Sequence, residues 1–261
     1  MNAIIKYTSI ITLITLSCVS QAEPIHESTL DDLVVQSGIA AKIQALNPLS
    51  VHYGGTDQLE NGEMQLFNSL IDTRTIFDLV SLDMGKSLTE ADAKNLIDWY
   101  GSNLGSRISR AEEHALTAEA VSEMTKLREQ LLTDKERVSY AKRFIEADNR
   151  VDKTLNELKT VLLAAVKQQY EITIFDKPVE FSRLTQIVDT QILERRKGVE
   201  QSLILSFLYT YKDFDTAELD IYAEKVSQPP MQKLNSSYSS GSTAALAQLM
   251  ERYVVELAQQ Q

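Results

Sequence analysis

The residues able to do chemistry are few and scattered. The three histidines, His26, His52 and His114, stand in no His-x-x-x-His or other metal-ligand spacing. Glu112-Glu113-His114 lies in a helical stretch, where neighbouring residues point to different faces, so the trio cannot chelate by itself and reads as a solvated face. Ser139-Tyr140-Ala141-Lys142 matches the Ser-x-x-Lys of penicillin-recognising enzymes, but no Lys-Thr-Gly follows it. Gly85-Lys86-Ser87 resembles the end of a phosphate loop, yet Val80 occupies the place of its first glycine. In Gly101-Ser102-Asn103-Leu104-Gly105 the serine is misplaced for a nucleophile elbow, and no strand precedes it. Asp31-Asp32 suits the first turn of a helix better than acid–base work. No catalytic residue, metal site or cofactor is expected.

Cys18 is the one cysteine, and it lies in a segment with the layout of a secretory signal. Lys6 provides the basic start, Ile10 to Leu16 an apolar run too short to span a bilayer, and Ser20-Gln21-Ala22 the small residues before a cut at Glu23. The expectation is a periplasmic protein of residues 23–261 without thiol chemistry and without a transmembrane segment. The alternative use of Cys18 is as the acylated first residue of an outer-membrane-associated lipoprotein, although Thr15-Leu16-Ser17 is a poor match to the usual preceding residues. Removing residues 1–22 takes away Lys6 and no acid, which leaves 25 basic and 37 acidic residues, a balance of −12. Such an acidic chain has no basic tract for nucleic acid or anionic headgroups.

The elements that must position any site are helices. From Gly105 to Pro178 there is neither Gly nor Pro, and strong helix formers dominate, which predicts long helix broken once. Thr133-Asp134-Lys135-Glu136 supplies the break as a capping box with Thr133 at the N-cap, and the helix after it runs from about Lys135 to Tyr170. A first amphipathic helix carries Leu30 to Ile43, starting near Ser28-Thr29. A second runs from Met64 to Gly85 after a loop over residues 47–62 that bears His52 and Tyr53. Ser87-Leu88-Thr89-Glu90 is another capping box, and Asp215-Thr216-Ala217-Glu218 caps a second short helix. Leu184 to Phe207 marks a long helix with Gly198 a weak point, and Pro229 opens a new segment. Asn235 to Ser242 reads as a loop or frayed turn before a last helix through Leu257, and Glu171 to Phe175 is the longest strand-like run, without an evident pairing partner. The fold class expected is all-α, a bundle of seven to nine helices.

A shift of 126 residues lays Leu88-Thr89-Glu90-Ala91-Asp92 on Phe214-Asp215-Thr216-Ala217-Glu218, and Asn103-Leu104 on Pro229-Pro230. The pattern repeats more than the identities do. It suggests two pseudo-repeated helical hairpin units, residues 23–132 and 133–261, packed as one body and joined by the long helix.

The same residues carry a resemblance. Leu88 to Asp92, followed by Trp99-Tyr100-Gly101-Ser102-Asn103-Leu104-Gly105, resembles the core motif of a domain-of-unknown-function family of secreted bacterial helical proteins. That motif runs through a cap and an acidic helix start to aromatic-Tyr-x-Ser-Pro-x-Gly. Ser102 and Gly105 match, whereas Asn103 stands in place of the proline. The second copy keeps Pro229 but has Lys225-Val226 for the aromatic pair and Met231 for the glycine. The family's leading helix resembles Asp31 to Leu46 with its Ser37-Gly38 step. The resemblance implies a helical periplasmic protein and transfers no catalytic residue.

These readings point to an exported, non-catalytic binding or scaffold protein whose partner is a periplasmic protein or an apolar or acyl ligand. Trp99, Tyr100 and Tyr53 are the candidate ligand or partner surface, while Ser102, Gly105, Thr89, Asp215 and Pro229 are structural. The competing readings are a cell-envelope hydrolase with an acidic active site and a structural protein anchored by lipid on Cys18.

Overall fold

Caps and glycines cut the chain into more helices than its apolar periodicity predicts. The computed structural model describes residues 23–45, 61–173 and 180–259, and among these there are twelve helices and no strand. They are α1 (Glu27–Gln36), α2 (Ile39–Ala45), α3 (Asn61–Leu70), α4 (Thr73–Ser87), α5 (Glu90–Gly101), α6 (Asn103–Ala115), α7 (Ala118–Leu131), α8 (Lys135–Ala147), α9 (Arg150–Ile172), α10 (Phe181–Thr210), α11 (Thr216–Val226) and α12 (Pro229–Gln259). The all-helical bundle agrees with the sequence; the number of helices does not, and each extra boundary has a local cause.

The first predicted helix breaks at Ser37-Gly38, where Gly38 has φ +70°, a conformation that favours glycine. The second breaks at Asp72, whose carboxylate accepts from Arg74 N at 3.0 Å and Thr75 Oγ1 at 2.7 Å. The long stretch after Gly105 breaks three times rather than once. Thr117 caps α7 by accepting from Ala120 N at 3.2 Å. The break at 133–136 is present, but Asp134 is the N-cap, accepting from Arg137 N at 3.0 Å, while Thr133 donates to Gln130 O. Asn149, at φ 50°, turns the chain between α8 and α9, so the helix expected from about Lys135 to Tyr170 is two helices rather than one. Glu171 and Ile172 finish α9 instead of forming a strand, and Ile174 and Phe175 lie outside the described residues.

Residues 235–242, expected as a loop, are interior to α12. The Ser/Gly composition that suggested a loop is the one that lets two helix backbones touch. A Cβ on Gly241 would sit 2.6 Å from Val80 Cα and 2.8 Å from Val80 N, with Ser237 and Ala245 buried on the same stripe. Tertiary packing of α12 on α4 outweighs local propensity there. Gly198, read as a weak point, is passed by α10 without a break, and a Cβ there meets nothing within 4 Å. Gly198→Ala is therefore expected to raise stability by about 0.5–1 kcal/mol, whereas Gly241→Ala should lower it; urea unfolding of both variants reads the opposite signs.

The core has two principal parts. One gathers Leu33, Val80, Met84, Leu96, Met231 and Leu234 from α1, α4, α5 and α12. The other gathers Ile108, Ile145, Phe207, Leu208, Phe214 and Leu219 from α6, α8, α10 and α11 with their joining turn. Trp99 is packed against both. Smaller clusters fill the α9–α10 seam and the contact of α3 with the end of α12.

The N-terminal arm has a cap the sequence could not show. α1 begins after His26, which makes no side-chain cap bond; the acceptor comes from α5 instead. Glu90, 5% exposed, accepts from His26 N at 3.0 Å and Thr29 Oγ1 at 2.9 Å, pairs with Lys94, and donates its own N–H to Glu23 O at 3.0 Å. Its position at the positive end of α1 satisfies one orphan backbone donor of that turn, His26 N. The hydrogen bond from His26 N, with help from Lys94 and Thr29, lowers the Glu90 pKa from its ordinary 4.5 to about 2. A carboxylate depressed by folding stabilises above its ordinary pKa and loses that contribution as pH falls through the folded value. Wild-type stability is thus expected to fall between about pH 4.5 and pH 2, and Glu90→Gln should flatten that part of a urea-midpoint-versus-pH profile.

Candidate functional site: a buried glutamate at the junction of four helices

The α5–α6 corner is built by the two motif residues that matched in the sequence. Ser102 closes α5 and caps α6 together: its hydroxyl donates to Trp99 O at 2.6 Å and accepts from Gly105 N at 3.1 Å. Gly105 cannot carry a side chain, because a Cβ would lie 2.0 Å from Trp99 O. The capping box expected over residues 87–90 lies two residues on, because Ser87 ends α4. Thr89 is the N-cap of α5 with Asp92, as Asp215 is of α11 with Glu218, and Pro229 is the first residue of α12.

Of the candidate surface residues, Tyr100 is buried, with its hydroxyl 3.4 Å from Met231 Sδ, and burial pushes its pKa far above the usual tyrosine range. Trp99 is half-buried in the seam between α5 and α11. Its ring lies parallel to Tyr222 at 6.5 Å between centroids, Lys225 Nζ is 5.7 Å from its centre, and the buried indole N–H has no hydrogen-bond partner among the described residues. Tyr53 and His52 lie outside the described residues. His26 pairs with Glu23 at 3.1 Å, and His114 stands against Tyr209 with ring centroids 6.5 Å apart.

The corner aims α6 so that Gly105, Ile108 and Glu112 fall on one inward stripe. Glu112 is therefore not the solvated residue expected from its neighbours: its side chain keeps 14% exposure. Oε1 accepts from Tyr211 Oη at 2.8 Å and from Tyr222 Oη at 2.7 Å, and Oε2 accepts from Lys42 Nζ at 2.9 Å. Burial alone would raise the Glu112 pKa, but the Lys42 charge and the bonds from Tyr222, Lys42 and Tyr211 outweigh it and hold the group below the usual carboxylate range. Burial, reinforced by the Glu112 charge, holds both tyrosine hydroxyls far above their usual range, so they act as neutral donors.

Comparison with family models, with curated proteins and with solved structures finds no match for this chain. The chemistry has to be read from the geometry alone.

That geometry is of a carboxylate whose two oxygens are both engaged by the protein's own donors. It brings α2, α6, α11 and the end of α10 to one point. A general acid or base needs a pKa near the working pH and a free lone pair or proton toward a substrate; Glu112 is ionised and fully engaged. Among the described residues no group of three or more His, Cys, Asp or Glu stands in metal-holding geometry. A signal for Glu112 existed in the sequence, since 105, 108 and 112 follow helical three- and four-residue spacing. Its partners carried none, lying 70, 99 and 110 residues away.

Two grooves flank α8. One, about 430 Å³, separates α8 from α11, with Tyr140, Phe144, Ala223 and Val226 among its lining residues and Arg143 at its edge. Arg143 lies over the Tyr140 ring at 5.7 Å and has no carboxylate within ion-pair distance among the described residues. The other, about 280 Å³, lies between α8 and α10 and carries charges of both signs, including Lys142, Glu146 and Glu200.

Proposed function

We propose that this is an exported, non-catalytic helical scaffold that binds a periplasmic protein or an apolar or acyl ligand. The observation that carries the reading is how the polar interior is used. The carboxylate centre at Glu112 has its acceptors taken up by Tyr211, Tyr222 and Lys42, which suits a tie between helices rather than turnover. The groove between α8 and α11 supports a binding role, since it sets Tyr140, Phe144 and Val226 beside Arg143 and the polar side chains of Asp148, Asp220 and Gln232. In this reading the chain is cut after Ala22, and two pseudo-repeated hairpin units form the body. The resemblance to the secreted unknown-function family agrees with that placement.

The test is occupancy of the groove in protein recovered from the periplasm. Ala223→Trp places a large ring in the groove from α11 and leaves the three donors to Glu112 in the sequence. Native mass spectrometry should show a bound apolar molecule or partner on the wild type and its loss from Ala223→Trp, with the melting temperature of the variant unchanged. Equal occupancy of both proteins would place binding elsewhere, and a wild type that carries nothing and hydrolyses envelope polymers would overturn the reading. The same spectra report the N-terminus: a free Glu23 fits the expected cut, and a diacylated Cys18 would replace it by a lipid anchor.

A further inference from the structure

Two ion pairs between the pseudo-repeated units are reciprocal under the 126-residue shift. Glu218, the N3 acid of the α11 capping box, takes Arg107, the fifth residue of α6. Asp92, the N3 acid of the α5 capping box, takes Lys233, the fifth residue of α12, at 2.7 Å. Position 92 maps onto 218 and 107 onto 233, so one ion pair is the image of the other with the units exchanged. The cation over Trp99 is Lys225, and 99 maps onto 225: this position meets its own counterpart. A two-fold axis brings a position on it against its own image, and reciprocal pairs on either side are the signature of an isologous interface. Element starts obey the same shift, with α5 and α11 beginning at 90 and 216, and α6 and α12 at 103 and 229.

We propose that residues 73–115 and 199–241 are two copies of one helical unit fused in a single chain, and that the face each presents across the Trp99–Lys225 contact is a dimerisation surface fitted to the other copy. This deepens the two-unit reading made above. The Glu112 centre has no image across the axis among the described residues. The counterpart of Glu112 is Tyr238, which packs on the cluster containing Leu96, itself the counterpart of Tyr222. A carboxylate held by tyrosines on one side of the axis answers a tyrosine packed on an apolar cluster on the other. The surfaces have therefore diverged into an obligate pair, in which neither unit can stand in for the other.

The axis is tested by exchanging its two residues in the full chain. Trp99→Lys sets two lysines against each other and should lower the melting temperature by about 10 °C, and adding Lys225→Trp should recover at least half of that loss. A double variant melting no higher than Trp99→Lys would overturn the two-fold. Hydrogen exchange covers the case in which these variants fail to fold. Asp92→Ala should speed exchange several-fold at the start of α5 and in residues 231–235, and Glu218→Ala should do so at the start of α11 and in residues 105–109. Loss of protection confined to each variant's own cap would also overturn it. Neither measurement involves a ligand, so failure here leaves the groove reading standing, and failure of the groove test leaves the two-fold standing.

Discussion

Glu112→Leu is expected to cost about 3–5 kcal/mol of unfolding free energy, the range for removing one partner of a buried ion pair. Lys42 would keep a charge at 25% side-chain exposure without its counter-ion, and the hydroxyls of Tyr211 and Tyr222 would lose their acceptor. The penalty belongs to the abandoned partners more than to the missing bonds, because an unsatisfied buried donor bears its full desolvation cost. The combined variant Glu112→Leu, Lys42→Met, Tyr211→Phe, Tyr222→Phe should accordingly recover most of the loss. Urea unfolding monitored by circular dichroism measures both. If the combined variant is as unstable as Glu112→Leu alone, the centre does more than satisfy its own donors.

The second large effect is Gly105→Ala. An added Cβ would meet Trp99 O at 2.0 Å and Trp99 C at 2.8 Å, and these are backbone atoms that no rotamer change can move aside. The α5–α6 corner would have to open, which withdraws Gly105 N from Ser102 Oγ and shifts the stripe carrying Ile108 and Glu112. A cost above about 3 kcal/mol is expected, in the class of severe substitutions with a named backbone cause. Gly101→Ala, four residues earlier at the end of α5, is the matched control. Its added Cβ would find only Gln36 Oε1 at 3.9 Å, and the variant should be neutral or slightly stabilised. Melting temperatures of the two variants separate a steric corner from a general intolerance of this segment.

How much was legible in the sequence depends on whether the cause of a feature is local. The capping box at Asp215 was legible because its partner lies three residues on, and Ser102 and Gly105 because the turn they make is self-contained. The box at residues 87–90 was offset by two residues, since Ser87 still belongs to α4 and Glu90 is drawn to α1. Asp72 and Thr117 carried the same kind of signal within long helical stretches and were passed over in favour of apolar continuity. The Asn235–Ser242 segment misled for the opposite reason: its small residues answer the Val80 backbone, which is remote in sequence. Glu90 and Glu112 were hidden because each serves a group 61 to 110 residues away. A carboxylate on a helix carries no sequence mark of the helix it will be pressed against. Of the proposed two-fold, the sequence carries only the repeated pattern; the pairs of Asp92 with Lys233 and Glu218 with Arg107 join residues more than 100 positions apart.

The claim that the buried carboxylate is a tie rather than an acid–base group is tested most directly by following the Glu112 side-chain carboxyl through a pH titration by carbon NMR, with Glu112→Gln providing the assignment. The account predicts a group ionised throughout the folded range, titrating below the ordinary 4.5 and only as the protein begins to lose its structure. A midpoint near neutrality in the intact fold would contradict it, because that is the behaviour of a general acid waiting for a substrate.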